Sequence, residues 1–186
     1  MSIFVGRNPR SAKAALADLA PGRSVHGLSD GSWSLIDALS ELGRRYGPAS
    51  LTVSTWTANG TDLTQAERLL RSGVFSDFRL LVDRSFLTRQ PRYCRVAREI
   101  FGDGAIRVWS SHAKFVLVGG EIAYFTSANL NRNRRIEAFS AYHDADFVAE
   151  YLALVKDVFD AQAPGDGFDI STRGRETTEA VINGAK

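Results

Sequence analysis

The sequence predicts an α/β domain, a mixed β-sheet covered by helices on both faces. Strand-like and helix-like segments alternate through the first half of the chain. A run of short strand-like segments then follows, and one long amphipathic helix closes the pattern. The 186 residues are 44% hydrophobic and 24% charged, which is the length and balance of one globular domain. Such a chain can bury roughly 70% of its unfolded surface without a disulfide or metal staple. Cys94 is the single cysteine, so an intrachain disulfide and a CxxC zinc site are excluded. Three histidines argue against a His-rich metal centre, and the length argues against a large two-lobed enzyme.

No element is assigned to residues 1–30. In 31–46, Leu35, Ile36, Leu39 and Leu42 share a helical face that ends at Gly47-Pro48. Residues 50–57 are rich in β-formers and run into a turn expected at Asn59-Gly60. Residues 62–73 return to helical spacing, and Phe78 to Val82 is a short apolar strand. A helix is expected over 92–101. Strands are expected at 106–110, 113–118, 122–125 and 136–142. Asp144 or Asp146 caps a helix reaching about Gln162. Its core side is Phe147, Val148, Tyr151, Leu152, Val155, Val158 and Phe159. Residues 1–162 read as the domain. Residues 163–186, with Pro164, Gly165, Gly167 and Gly174 and few apolar side chains, read as an appendage.

Chemistry concentrates in SSHAKFVLVGGEIAYFTSANLNRNRRIEAF, residues 110–139. Gly119-Gly120 suits a two-residue hairpin turn. In that register Val118 faces Glu121, Lys114 faces Phe125 and His112 faces Ser127. His112 and Lys114, two apart, leave the same face of the sheet. The hairpin returns Ser127 and Asn129 to that end. Imidazole is a competent nucleophile near neutral pH, and an ammonium, an amide and a hydroxyl can hold phosphate oxygens. Glu137 is the expected carboxylate behind the imidazole, fixing its tautomer. Glu121 falls at the far turn.

These residues resemble the phospholipase D superfamily, whose signature reads H-x-K-x4-D-x6-G-S-x-N. His112, Lys114, Ser127 and Asn129 match it without a gap, and Glu137 matches an acidic residue that often follows. Gly119 stands where the signature has Asp, and Thr126 where it has Gly. The resemblance is strongest over 110–139, and the element order from about 31 to 160 looks like one half of such an enzyme. It implies a phospholipase D-like α/β/α sandwich and a phosphohistidine intermediate, with no metal and no cofactor. Two motifs face each other in the family. This chain has one, as in the short Nuc-like endonuclease branch, so a homodimer sharing its site is implied.

Charge favours nucleic acid as substrate. Residues 84–135 carry 10 Lys+Arg against 3 Asp+Glu, and 136–186 carry 4 against 10. Arg132, Arg134 and Arg135 follow Asn129 and can track a phosphate backbone. Arg89, Arg92, Arg95 and Arg98 recur every third residue. Trp33, Trp56, Trp109 and Cys94 read as packing. No signal peptide or membrane span is apparent, so a cytoplasmic protein without a membrane partner is expected. The reading is a metal-independent nuclease. A lipid phosphodiesterase is the alternative enzyme, and a catalytically silent nucleic-acid-binding or assembly module of the same fold is the alternative outside catalysis.

Overall fold

The computed structural model describes residues 2–7, 9–132 and 135–168. Its strands are β1 (Ser2–Arg7), β2 (Ser24–Ser29), β3 (Ala49–Thr55), β4 (Phe75–Asp83), β5 (Ile106–Trp109), β6 (Phe115–Val118), β7 (Ile122–Thr126) and β8 (Glu137–His143). The helices are α1 (Ala12–Ala15), α2 (Leu35–Tyr46), α3 (Gly60–Arg71), α4 (Arg84–Arg89), α5 (Pro91–Phe101) and α6 (Ala145–Asp160). The strands form one sheet in the order β1-β2-β8-β7-β6-β3-β4-β5. β3, β4 and β5 run parallel, as do β1 and β2, and the central pairings are antiparallel. The sheet is therefore mixed, and the α/β expectation holds.

Helices cover both faces. Val53, Leu80, Val82, Val116, Val118 and Tyr124 point into a large core with α1 to α5. Leu81, Phe115, Leu117 and Ala123 point the other way, against Val148 and Val155 of α6. The remaining core-side residues expected of α6 pack there too. Its start is Asp144, whose side chain accepts from the backbone of Phe147. α2 starts in a capping box in which Ser34 N donates to Asp37 Oδ2 at 2.8 Å.

Several expectations change. Asn59 is the N-cap of α3, accepting from Asp62 N at 2.8 Å, so Asn59-Gly60 begins a helix directly. β1, α1 and β2 occupy the stretch in which no element is expected, and α4 precedes the expected 92–101 helix. Val118 pairs with Ile122 and Phe115 with Phe125, one residue out of the expected register. The loop is therefore Gly119, Gly120 and Glu121, with Gly119 in the left-handed region at φ +58. Burial explains the register. Phe115 and Phe125 share the α6 face, with rings 6.2 Å apart, while Tyr124 shares the opposite face with Val116. A slip by one residue would exchange those faces.

At the chain's described end, Phe168 is buried in the large core, and Gln162 accepts from Val108 N. Residues 169–186 lie outside the described residues. Among the described residues, no helix is long and apolar enough to cross a membrane.

Candidate active site

The parallel strands β3, β4 and β5 end along one edge of the sheet, where β6 and β8 begin and β7 ends. Carboxyl ends of parallel strands are where α/β sheets gather functional loops. The loop from β5 to β6 carries His112 and is tied down on three sides. Ser111 N donates to Asp83 Oδ2 at 3.2 Å, Ala113 N donates to Ser111 Oγ at 3.1 Å, and Ser54 Oγ donates to Ala113 O at 2.9 Å.

Lys114 closes back on His112. Its Nζ donates to the His112 carbonyl at 2.7 Å and lies 3.2 Å from Nδ1. An ammonium has only protons to give, so Nδ1 is the acceptor, and in the neutral ring the proton sits on Nε2. Trp56, the residue after β3, lies 4.8 Å from the imidazole, with the two ring planes at 55°. The Arg89 guanidinium carbon sits 3.6 Å from the Trp56 ring centre, and Nη2 donates to the Trp56 carbonyl at 3.1 Å.

The second arm joins through Thr126, whose N–H donates to the Lys114 carbonyl at 3.1 Å. Ser127 Oγ donates to Glu137 Oε2 and accepts from Ala138 N at 3.0 Å. Next along, Asn129 is half-buried, and its Oδ1 is buried without a hydrogen-bond partner among the described residues. Leu130 N donates to Thr55 Oγ1 at 3.0 Å, and Asn59 N donates to the Leu130 carbonyl at 3.1 Å. These two bonds sew the loop after β7 to the end of β3 and the start of α3.

Burial holds the Lys114 ammonium below the usual lysine range, although the Glu137 and Asp83 carboxylates pull it up. Burial raises the Asp83 carboxyl, but hydrogen bonds from Ser85 and Ser111 outweigh it and leave the group below its ordinary range. Asp62, under the same loop, is pushed up by burial against the charge of Arg132.

His112 and Lys114 thus meet directly, and Ser127 and Glu137 meet beside them. Glu137 does not bond the imidazole: its carboxylate accepts from Ser127 Oγ, and Nδ1 faces Lys114 instead. Gly119 stands at the other end of β6, roughly 17 Å along the strand from Lys114 at 3.4 Å a residue. Its place is the turn, far from His112 and Lys114. Arg132 and Arg135 are exposed, and Arg134 lies outside the described residues. The arginine stripe is broken at Gln90-Pro91: Arg89 ends α4, whereas Arg92, Arg95 and Arg98 lie on α5 and Arg98 is bound bidentately by Asp103. The other histidines are elsewhere. His26 bonds Ser140 and Ser24, and His143 faces Glu121 at 3.2 Å.

Sequence reasoning missed Asp83 and took Trp56 for core. Both are the residue at or just past a strand end, and that position was the only signal they offered. Among the described residues, no three His, Cys, Asp or Glu side chains gather into a metal-holding group.

No family model matches the chain, and no curated protein matches it. Solved structures do. A phospholipase D family member, Nuc from Salmonella typhimurium, aligns at TM-score 0.55 and 13% identity over 74% of this chain and 93% of that one. NucT from Helicobacter pylori aligns at TM-score 0.52 and 12% identity over 74% and 96%. Polyphosphate kinase from Porphyromonas gingivalis aligns at TM-score 0.53 and 15% identity over 87% of this chain and 32% of that one. At such identities likeness speaks to architecture alone. The strand order, the single long helix on one face and these alignments together give this chain the phospholipase D-like fold.

Proposed function

We propose that the protein is a metal-independent phosphodiesterase that hydrolyses nucleic-acid phosphodiester bonds at a site shared by two copies of the chain. The observation carrying this reading is the meeting of His112 with Lys114, next to Ser127–Glu137, at one sheet edge of a phospholipase D-like fold. A ring nitrogen of His112 attacks phosphorus, a P–N bond forms, and the P–O bond to the leaving group breaks. The leaving oxygen takes a proton from the His112 of a second copy. Water then attacks phosphorus, gives its proton to that second imidazole, and breaks the P–N bond. Lys114 and Asn129 hold the non-bridging oxygens. Ser127, engaged with Glu137, fixes that carboxylate near Lys114. His26 and His143 are committed elsewhere, so the second histidine comes from a second chain.

Purified protein is incubated with single- and double-stranded DNA and RNA in excess EDTA, beside His112→Ala. Cleavage by the wild type alone supports the reading. Activity that requires added metal, or an active species that sediments as a monomer, contradicts it. The second reading is a silent nucleic-acid-binding module. It is favoured by one observation: Nδ1 is taken by Lys114 and no described carboxylate bonds the ring. Binding without cleavage by both proteins would select it.

A further inference from the structure

A groove of about 670 Å³ opens between the start of α3 and α5, walled by Asn59, Thr61, Gln65, Arg68, Arg92 and Tyr93 among others. Two arginines and no acidic residue line it. Both arginines are exposed, and among the described residues neither has a carboxylate within 4.0 Å. Two cations facing one hollow repel each other, and an anion between them removes that cost. The remaining walls offer amides and hydroxyls, which are hydrogen-bonding partners for phosphate and sugar.

Each wall adjoins a segment of the candidate site. On the α3 side, Asn59 N holds the Leu130 carbonyl, one residue beyond Asn129. Before α5, Arg89 at the end of α4 covers the Trp56 ring that neighbours His112. Within the groove the Tyr93 ring lies close over the start of α3: a Cβ on Gly60 would stand 3.4 Å from it.

We infer that this groove is a second phosphate subsite, holding the backbone of a single-stranded polynucleotide that extends from His112. Arg68 and Arg92 take phosphates, and Tyr93 offers a ring beside a base. An unpaired strand presents base faces to an aromatic ring without sequence preference, whereas a duplex keeps its bases stacked on one another. The inference rests on the nuclease reading for the strand's other end, but binding is measured apart from cleavage.

The test uses full-length protein carrying His112→Ala, so that the probe survives, and labelled oligo-dT long enough to span both sites. Adding Arg68→Gln and Arg92→Gln weakens binding by about tenfold and lowers the slope of log affinity against log salt by about 1.4, two contacts at about 0.7 each. Arg71→Gln, on the same helix but outside the groove and paired with Glu67, leaves both unchanged. Gln65→Arg, which adds a cation to the wall, raises the slope by about 0.7. An unchanged affinity and slope in the double variant overturns the inference. So does an equal loss with duplex DNA, or a preference for phosphatidylserine vesicles that the same variants abolish. If no nucleic acid is ever cleaved but the slope changes appear, the groove stands and the nuclease reading falls. If cleavage is intact and the slope does not move, the reverse holds.

Discussion

Replacing Asp83 with alanine removes the tie between the end of β4 and the loop that carries His112. The carboxylate accepts from Ser85 N at 2.8 Å, from Ser85 Oγ, and from Ser111 N at 3.2 Å. Loss of the α4 N-cap costs about 1 kcal/mol. The Ser111 N–H loses its acceptor as well, and because the site is half-buried, water replaces part of that bond, for about another 1 kcal/mol. The total of about 2 kcal/mol lowers the midpoint of thermal unfolding by roughly 4–8 °C in a domain of this size. The effect on activity exceeds that on stability, because Ser111 immediately precedes His112. At a temperature where the variant is fully folded, phosphodiester cleavage falls by at least about tenfold, a displacement of reacting groups of well under 1 Å being enough. Asp83→Asn keeps one carbonyl acceptor and recovers part of both losses. Calorimetry and a rate measurement on the same preparation check this. A variant that melts earlier yet cleaves at the wild-type rate would refute the claim that Asp83 positions His112. The stabilisation has a pH signature too. Asp83's folded pKa is depressed, so its contribution is complete above the ordinary carboxylate pKa and is lost as pH falls through the lower folded value.

Lys114, held low by burial, loses its charge at a lower pH than a free lysine, so cleavage falls early on the alkaline side. Glu137→Gln removes a carboxylate that raises this group and moves the limb to still lower pH; a move to higher pH in a pH–rate profile would contradict the assignment. Cys94 is fully buried and its thiol is pushed up to about 12, leaving about one thiolate in ten thousand at pH 8. Labelling by a disulfide reagent should therefore proceed only at the rate of local or global opening, and fast labelling of folded protein would count against that burial. Gly119→Ala meets only Ala49 Cβ at 3.6 Å, an ordinary contact, so its cost is the left-handed backbone, about 1 kcal/mol. Melting should drop by a few degrees while the rate per folded molecule stays put, measured by calorimetry beside cleavage.

The parts of the fold legible in sequence are those written in local periodicity. Seven apolar positions at helical spacing and a capping aspartate define α6, and short runs of apolar and β-forming residues mark β3 to β8. The chain before residue 30 is different. SVHGLS of β2 mixes polar and apolar residues because one of its faces carries a hydrogen-bonded set, His26 with Ser24 and Ser140, and such a strand has no alternation to read. The hairpin register turned on a single backbone choice at Gly119, which sequence does not distinguish from its neighbour Gly120. In the proposed site, His112, Lys114, Ser127 and Asn129 could be named from sequence because they flank one hairpin and follow a known spacing. Trp56, Asp83 and Thr55 were not. They reach the site from strands β3 and β4, and only the sheet order makes them neighbours.

Held by Lys114 on Nδ1, the neutral His112 ring carries its proton on Nε2, and that nitrogen has no lone pair to attack phosphorus while the proton is there. A phosphate that draws the ammonium away frees Nδ1, and the ring can then shift its proton to Nδ1 and present a bare Nε2. The nucleophile of the proposed reaction is thus armed by the arrival of the phosphate, not in advance of it.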